Sequence, residues 1–138
     1  MSLLYVDSSA WAKLLLEEPE SRGLRRFVRT SLRHGDDFCS SELMTTELHR
    51  LASRSGVDHA DVTAVLQVVT LSLPTAMTFR SAGLLAGECR SLDALHVVAA
   101  LELGADRFVS YDVRQLGAAS AAGLQTLSPG ARRLGARG

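Results

Sequence analysis

Cysteine is scarce in this chain, which has only Cys39 and Cys89 among its 138 residues. Two lone cysteines without metal-site spacing argue against a disulfide-stabilised scaffold, so we expect reduced, partly buried thiols. Long apolar runs are also missing, since none approaches the ~18 residues of a membrane span. The N-terminus lacks the layout of a signal peptide, and these absences together predict a cytoplasmic protein with no membrane association.

Lysine is rarer still, because Lys13 is the only one and every other basic residue is an arginine. Basic and acidic residues number 15 each, so net charge alone predicts no partner. Arginine suits bidentate phosphate binding, but we attribute its excess to a GC-rich coding bias. The arginines of a predicted helix at 22–33 are accordingly interpreted as a solvated face rather than a nucleic-acid-binding stripe.

The composition is otherwise that of a globular protein, with 46% hydrophobic and 22% charged residues. A chain of this length is typical of one domain, which we place at residues 1–130. Residues 131–138 are rich in glycine and arginine and are predicted to form a flexible tail.

Short apolar segments alternate with segments of helical periodicity along the chain. Strands are predicted at 3–6, 37–40, 71–73, 107–110 and 124–127. Helices are predicted at 9–16, 22–33, 41–53, 60–69, 75–87, 91–103 and 113–122. Because this alternation is that of βαβ units, it predicts an α/β fold with a parallel sheet.

Two acids stand where predicted strands end. Asp7 directly follows the first strand, and Asp112 lies just past the fourth. Because ligands bind at the carboxyl ends of parallel strands, both are candidates for a functional site. Each also has a structural interpretation, since Asp7 could cap a helix and Asp112 could stabilise a turn. The expected N-cap of the first helix is nevertheless Ser8 or Ser9.

Two further acids interrupt apolar helical patterns. Glu47 lies just before Leu48, and Asp93 precedes Ala94 and a long apolar run. A carboxylate beside such faces is costly unless it is paired or bound to a cation. Here too a purely structural role is possible for each acid, because Glu47 could pair with Arg50 and Asp93 could stabilise the N-terminus of its helix.

Four segments together resemble the PIN-domain family and, within it, the VapC-type toxins of bacterial toxin–antitoxin pairs. They are Tyr5–Ala10, Ser40–Leu43 leading to Glu47, Arg90–His96, and Phe108–Asp112. The third is the most specific, because an acid followed by Ala-Leu-His in an apolar helix is a familiar signature of these toxins. The resemblance covers nearly the whole chain, from about position 3 to 127.

The resemblance implies a three-layer α/β/α fold with about five parallel strands in the order 3-2-1-4-5. It also implies an Mg²⁺- or Mn²⁺-dependent endoribonuclease, a growth-inhibiting toxin neutralised by a cognate VapB-like antitoxin. Homodimers and toxin–antitoxin hetero-oligomers are expected. The acidic quartet of the family is matched by Asp7, Glu47, Asp93 and Asp112, and Ser8 stands where a hydroxyl often supports the metal shell.

The chemistry of these residues agrees with that implication, because oxygen-only ligands suit Mg²⁺ or Mn²⁺ rather than zinc. On this hypothesis Asp7 and Asp93 are the primary metal ligands, and Asp112 binds directly or through water. Glu47 orients or deprotonates the attacking water. Arg90 contacts substrate phosphate or is simply solvated, whereas His96 is expected to be a packed, hydrogen-bonded residue rather than a ligand.

Other α/β enzymes fit less well. A haloacid-dehalogenase-type phosphatase needs a second aspartate two positions after Asp7, where Ser9 stands, and a response regulator needs a late lysine. A non-cleaving RNA-binding or regulatory module remains the alternative. The apolar segments at 62–69 and 77–85 could supply a dimer surface or could equally pack into the core.

Overall fold

In the part of the chain that the structure describes, five short strands form one sheet: β1 (Leu3–Val6), β2 (Asp37–Ser41), β3 (Thr70–Ser72), β4 (Arg107–Val109) and β5 (Gln125–Leu127). In this computed structural model, which describes residues 1–132, their order is β3-β2-β1-β4-β5. All four neighbouring pairs are parallel. The predicted α/β class and strand order are therefore confirmed. The predicted tail lies outside the described residues from position 133 onward.

Within the described residues 1–132, seven helices connect the strands. They are α1 (Ser8–Leu15), α2 (Ser21–Arg33), α3 (Leu43–Ser55), α4 (His59–Leu66), α5 (Ala76–Gly83), α6 (Ser91–Leu103) and α7 (Val113–Ala121). Every predicted helix is present, and the differences concern where helices begin and end. The α5 helix stops at a glycine, which has a low helix propensity, instead of continuing to Gly87.

The expectation that Ser8 or Ser9 caps α1 is wrong. The N-cap is Asp7, whose carboxylate accepts hydrogen bonds from the backbone N–H and the hydroxyl of Ser9. The predicted start of α3 also shifts, because Ser41 pairs with Ser72 as the last residue of β2. Ser9 thus donates to the cap of α1, and Ser41 ends the ladder while its hydroxyl accepts from the N–H of Leu43 at 3.2 Å.

Alternating strand residues pack into two cores on opposite faces of the sheet. Leu4 and Val6 belong to the core that includes Trp11 of α1 and the apolar residues of α2, α3 and α4. Tyr5 faces the other side, where it packs with Phe108 and with α6 and α7. The sheet is therefore the middle layer of the three predicted layers.

The two cysteines are free thiols, and Cys39 is buried whereas Cys89 is half-buried. Burial raises the pKa of Cys39 to about 12. The arginines of α2 are mostly exposed, in agreement with a solvated face. Within residues 1–132, no helix is both long and apolar enough to span a membrane.

The segment after β5 packs closely against α2. The hydroxyl of Tyr111 donates to the carbonyl of Pro129 at 2.6 Å. A Cβ atom on Gly23 would lie 2.5 Å from the Cα of Gly130, so only glycine fits at this position of α2. This close approach fixes the C-terminal segment beside the loop that carries Asp112.

Candidate active site

Two adjacent strands bring Asp7 and Asp112 to the same edge of the sheet. Asp7 directly follows β1, and Asp112 lies shortly after β4, which pairs with β1 in parallel. Each carboxylate is an N-cap. Asp112 accepts from the backbone N–H groups of Arg114 and Gln115 at 2.9 and 3.0 Å. Asp7 and Asp112 can therefore each cap a helix and also belong to a functional site, because capping holds each carboxylate at the end of its strand.

Glu47 reaches the same edge from α3. Its Oε1 atom accepts from the Ser8 hydroxyl at 2.7 Å and lies 2.7 Å from Nε2 of His96. Its carboxylate is therefore directed toward Ser8 and α6, and the suggested pairing with Arg50 is not the contact observed. Ser8 itself is buried at the start of α1, which places the predicted supporting hydroxyl between β1 and α3.

His96 lies buried at the centre of this group, with 1% of its surface exposed. Its Nδ1 atom is 2.6 Å from the hydroxyl of Tyr5, and its Nε2 atom is 3.6 Å from Oδ1 of Asp7. The expectation of a packed, hydrogen-bonded histidine is confirmed. The residue also links three of the site's elements, β1, α3 and α6.

Burial and nearby charge act in opposite directions on the pKa values of His96 and Glu47. Burial by itself would lower the pKa of His96, but the hydrogen bond to Glu47 and the charge of Asp7 outweigh it and raise that pKa. Burial likewise would raise the pKa of Glu47, and the contact with His96 outweighs it and lowers that pKa. Both shifts favour an imidazolium–carboxylate pair.

Asp93 lies in the first turn of α6, half-buried and close to two other acids. Burial raises its pKa, and the charges of Asp7 and Asp112 raise it further. This mutual repulsion is the electrostatic sign that three predicted site residues converge. Arg90, the N-cap of α6, lines a cavity of about 340 Å³ together with Asp93 and Asp112.

Gln115 is a site residue that sequence reasoning missed. It is fully buried, and its Nε2 donates to Oδ1 of Asp7 and to the backbone carbonyl of Asp93, both at 3.2 Å. Its Oε1 accepts from the hydroxyl of Ser110. The available signal was its position three residues after Asp112, which places a buried amide on the same face of α7.

A cavity of about 490 Å³ opens above these groups. Its floor is polar and contains Ser8, Glu47, Asp93 and Asp112. Apolar and charged side chains also line it: Ala12, Leu16, Leu48 and Leu51 with Lys13, Glu18 and Arg54. Because Lys13 is paired with Glu18 and Glu20, Arg54 supplies the positive charge that an anionic ligand would meet beside the carboxylates.

Carboxylate oxygens are the type of ligand that a hard divalent cation prefers. Asp7 uses both oxygens in hydrogen bonds, to Ser9 and Gln115. Among the described residues, no three His, Cys, Asp or Glu side chains are arranged as a ready-made metal site. The donor chemistry thus fits Mg²⁺ or Mn²⁺, while the carboxylates of Asp7, Glu47 and Asp112 are held by protein hydrogen bonds.

The sequence of the chain matches known proteins along most of its length. The PIN domain family model matches residues 4–120. The chain is 34% identical to ribonuclease VapC47 from Mycobacterium tuberculosis strain CDC 1551 / Oshkosh, over 95% of this chain and all of the relative. It is 37% identical to ribonuclease VapC46 from M. tuberculosis strain H37Rv, over 94% of this chain and 99% of the relative.

Solved structures show the same fold at lower identity. VapC20 of M. tuberculosis, a toxin that cleaves the sarcin–ricin loop, matches with a TM-score of 0.71 and 22% identity, over 91% of this chain and 99% of its own. A chain of VapBC2 from Rickettsia felis, bound to promoter DNA, matches with a TM-score of 0.72 and 12% identity, covering 92% and 98%. The chain therefore belongs to the PIN-domain family, as a VapC-type member.

Proposed function

We propose that this protein is a metal-dependent endoribonuclease that hydrolyses RNA phosphodiester bonds and acts as a growth-inhibiting toxin. The observation that carries the proposal is the gathering of Asp7, Glu47, Asp93 and Asp112 at one edge of the sheet, beside an open cavity. The relatives with 34% and 37% identity over nearly the full chain are named ribonucleases.

The proposed ligands of the cation are Asp7, Asp93 and Asp112, with Glu47 beside them. A bound Mg²⁺ or Mn²⁺ would supply a water of lowered pKa and would stabilise the leaving oxygen of the phosphodiester. A cation would also relieve the repulsion that raises the pKa of Asp93. The all-oxygen donor set supports Mg²⁺ or Mn²⁺ over zinc.

The remaining residues would position these groups. Glu47, held by Ser8 and His96, would orient the attacking water and accept its proton. Gln115 holds one oxygen of Asp7 and so would fix the direction of the other. Arg90 would contact the substrate phosphate from the N-terminus of α6, where it lies beside Asp93.

A cognate VapB-like antitoxin is the proposed partner, and the protein would act in the cytoplasm. Support comes from VapBC2 and from FitAB, whose structure bound to DNA matches with a TM-score of 0.62 and 13% identity, over 96% of this chain and 99% of its own. We further propose a homodimer within a toxin–antitoxin hetero-oligomer. Exposed apolar side chains near α5 could form its surface: Leu73, Met77, Phe79 and Leu84.

The decisive experiment is RNA cleavage by the purified protein with Mg²⁺, with Mn²⁺ and with EDTA. We expect cleavage only with the cations, and its loss in Asp93→Asn. Asp61→Asn is the matched control, because Asp61 is exposed on α4. Unchanged cleavage by Asp93→Asn would disprove the site. RNA binding without any cleavage by the wild type would favour a non-cleaving binding module instead.

A further inference from the structure

Two histidines meet on the surface of the protein, on the α3–α4 helix pair. Nδ1 of His49 lies 2.7 Å from Nδ1 of His59. Their ring centroids are 5.0 Å apart and their planes 19° apart, so the rings are nearly coplanar and the two nitrogens face each other edge to edge. Neither residue lines the cavity above the carboxylates. The close approach of two ring nitrogens is therefore a feature that the proposed nuclease site does not explain.

The contact with Ser53 fits a His59 tautomer that is protonated at Nε2. The Ser53 hydroxyl donates to the carbonyl of His49 at 3.1 Å, so its oxygen is left to accept from Nε2 of His59, 3.4 Å away. A neutral His59 with its proton on Nε2 has a bare Nδ1 atom. That lone pair is directed at His49, whose Nδ1–H donates to it.

The backbone places the two histidines on neighbouring turns of α3 and α4. His49 and Ser53 lie one turn apart on the same face of α3, and His59 is the first residue of α4. Between them, Gly56 ends α3 with a φ of +71°, and Asp58 caps α4 by accepting from the N–H of Ala60 at 2.9 Å. The two nitrogens are brought together by this tight helical connection.

We propose that His49 and His59 form a binding site for a divalent transition-metal cation such as Zn²⁺ or Ni²⁺, with water completing the coordination. The cation takes the place of the proton between the two Nδ1 atoms, and His49 adopts the tautomer protonated at Nε2. Tetrahedral metal–nitrogen bonds of about 2.0–2.1 Å separate two ligand nitrogens by roughly 3.3–3.4 Å, so the nitrogens, 2.7 Å apart, need to part by about 0.6–0.7 Å. The two exposed side chains also need to tilt so that both lone pairs meet at the cation.

Ser53 would hydrogen-bond to a metal-binding histidine without contacting the cation itself. A metal-binding histidine usually donates its other ring N–H to a neighbouring oxygen, which fixes its tautomer and orientation. Ser53 supplies that oxygen to His59. Imidazole ligands favour zinc, nickel and copper over Mg²⁺, so this site and the carboxylate cluster select different cations.

Metal binding here would join α3 to α4. His49 lies two residues after Glu47 on α3, so the bound cation would restrain the helix that carries Glu47. Because a ligand that binds only the folded chain stabilises it, Zn²⁺ should raise the melting temperature. This effect requires no RNA and no cleavage.

The test is calorimetric titration of Zn²⁺ into metal-free Asp93→Asn protein, which weakens competition from the carboxylates. We expect one Zn²⁺ per chain and a raised melting temperature, both lost in His49→Ala and in His59→Ala. Ser53→Ala should bind about 10-fold or more weakly, since outer partners contribute this much to metal affinity. Mg²⁺ should not reproduce the effect.

The matched control is His34→Ala, because His34 is an exposed histidine far along the chain from this pair. Asp93→Asn protein that also carries His34→Ala should bind Zn²⁺ as well as Asp93→Asn protein alone. Circular dichroism without metal checks that each variant is folded, and His59→Gln replaces His59→Ala if the latter is not. Equal Zn²⁺ binding by the parent, His49→Ala and the folded His59 variant would overturn the proposal, as would an absence of Zn²⁺ binding.

Discussion

Nε2 of His96 lies 2.7 Å from Oε1 of Glu47, and this contact joins the helix bearing the Ala-Leu-His segment to the helix bearing the fourth acid. The histidine is buried, whereas the Glu47 side chain keeps 31% of its surface exposed. Oε1 of Glu47 is thus held by His96, and the exposed part of the carboxylate is open to the cavity.

Removal of the histidine should destabilise the protein and misplace Glu47. We expect His96→Ala to lower the free energy of unfolding by about 1–3 kcal/mol, because a partly buried carboxylate loses its donor. Urea denaturation of the wild type, His96→Ala, Glu47→Gln and the double variant measures the coupling. Strictly additive losses would show that the two side chains do not stabilise each other.

Gln115→Leu should weaken both the fold and RNA cleavage. The leucine fills similar space, but the Asp7 carboxylate, the Asp93 carbonyl and the Ser110 hydroxyl lose their partner. We expect a loss of about 1–3 kcal/mol in urea denaturation. Gln125→Leu, an exposed position on β5, is the control. Wild-type cleavage by Gln115→Leu would show that the amide does not position Asp7.

Gly23→Ala should destabilise the protein, whereas Gly117→Ala should not. The new methyl at position 23 would meet the backbone of Gly130, which can only move away. We expect a loss of about 1–3 kcal/mol, as for other overpacked sites. Gly117 is also helical but has open space around its Cβ position, so alanine there should stabilise by roughly 0.5–1 kcal/mol.

Melting temperatures and urea midpoints of the two glycine variants provide the comparison. Equal stability of the two variants would contradict the close packing of the C-terminal segment against α2.

The two thiols should react with iodoacetamide at different rates. Burial raises the pKa of Cys39 to about 12, so only about one molecule in 10⁴ carries the thiolate at pH 8. Below that pKa the thiolate fraction rises tenfold per pH unit. We expect the half-buried Cys89 to be modified first, as followed by mass spectrometry between pH 7 and 9.

Cys89→Ser supplies the control for alkylation. The folded variant should remain almost unlabelled at pH 8, and it should take up one equivalent of reagent once urea has unfolded it. Rapid labelling of the folded Cys89→Ser protein would mean that Cys39 is accessible, contrary to its position in β2.

Local patterns in the sequence predict much of the architecture. Apolar runs and helical periodicity predicted every strand and helix, because each depends on residues that are neighbours in sequence. Helix ends were less accurate. Residue preference favours Ser8 or Ser9 as the cap, but Asp7 takes that role because β1 directs its carboxylate over the first turn of α1.

The strand–helix alternation and the positions of Asp7 and Asp112 at strand ends follow from short-range order in the sequence. The contact of Glu47 with His96 rather than Arg50, and the link that Gln115 makes between Asp7 and Asp93, arise from the packing of distant segments. Those contacts connect residues 22 to 108 positions apart. They depend on how the helical layers pack across the sheet, which no local pattern specifies.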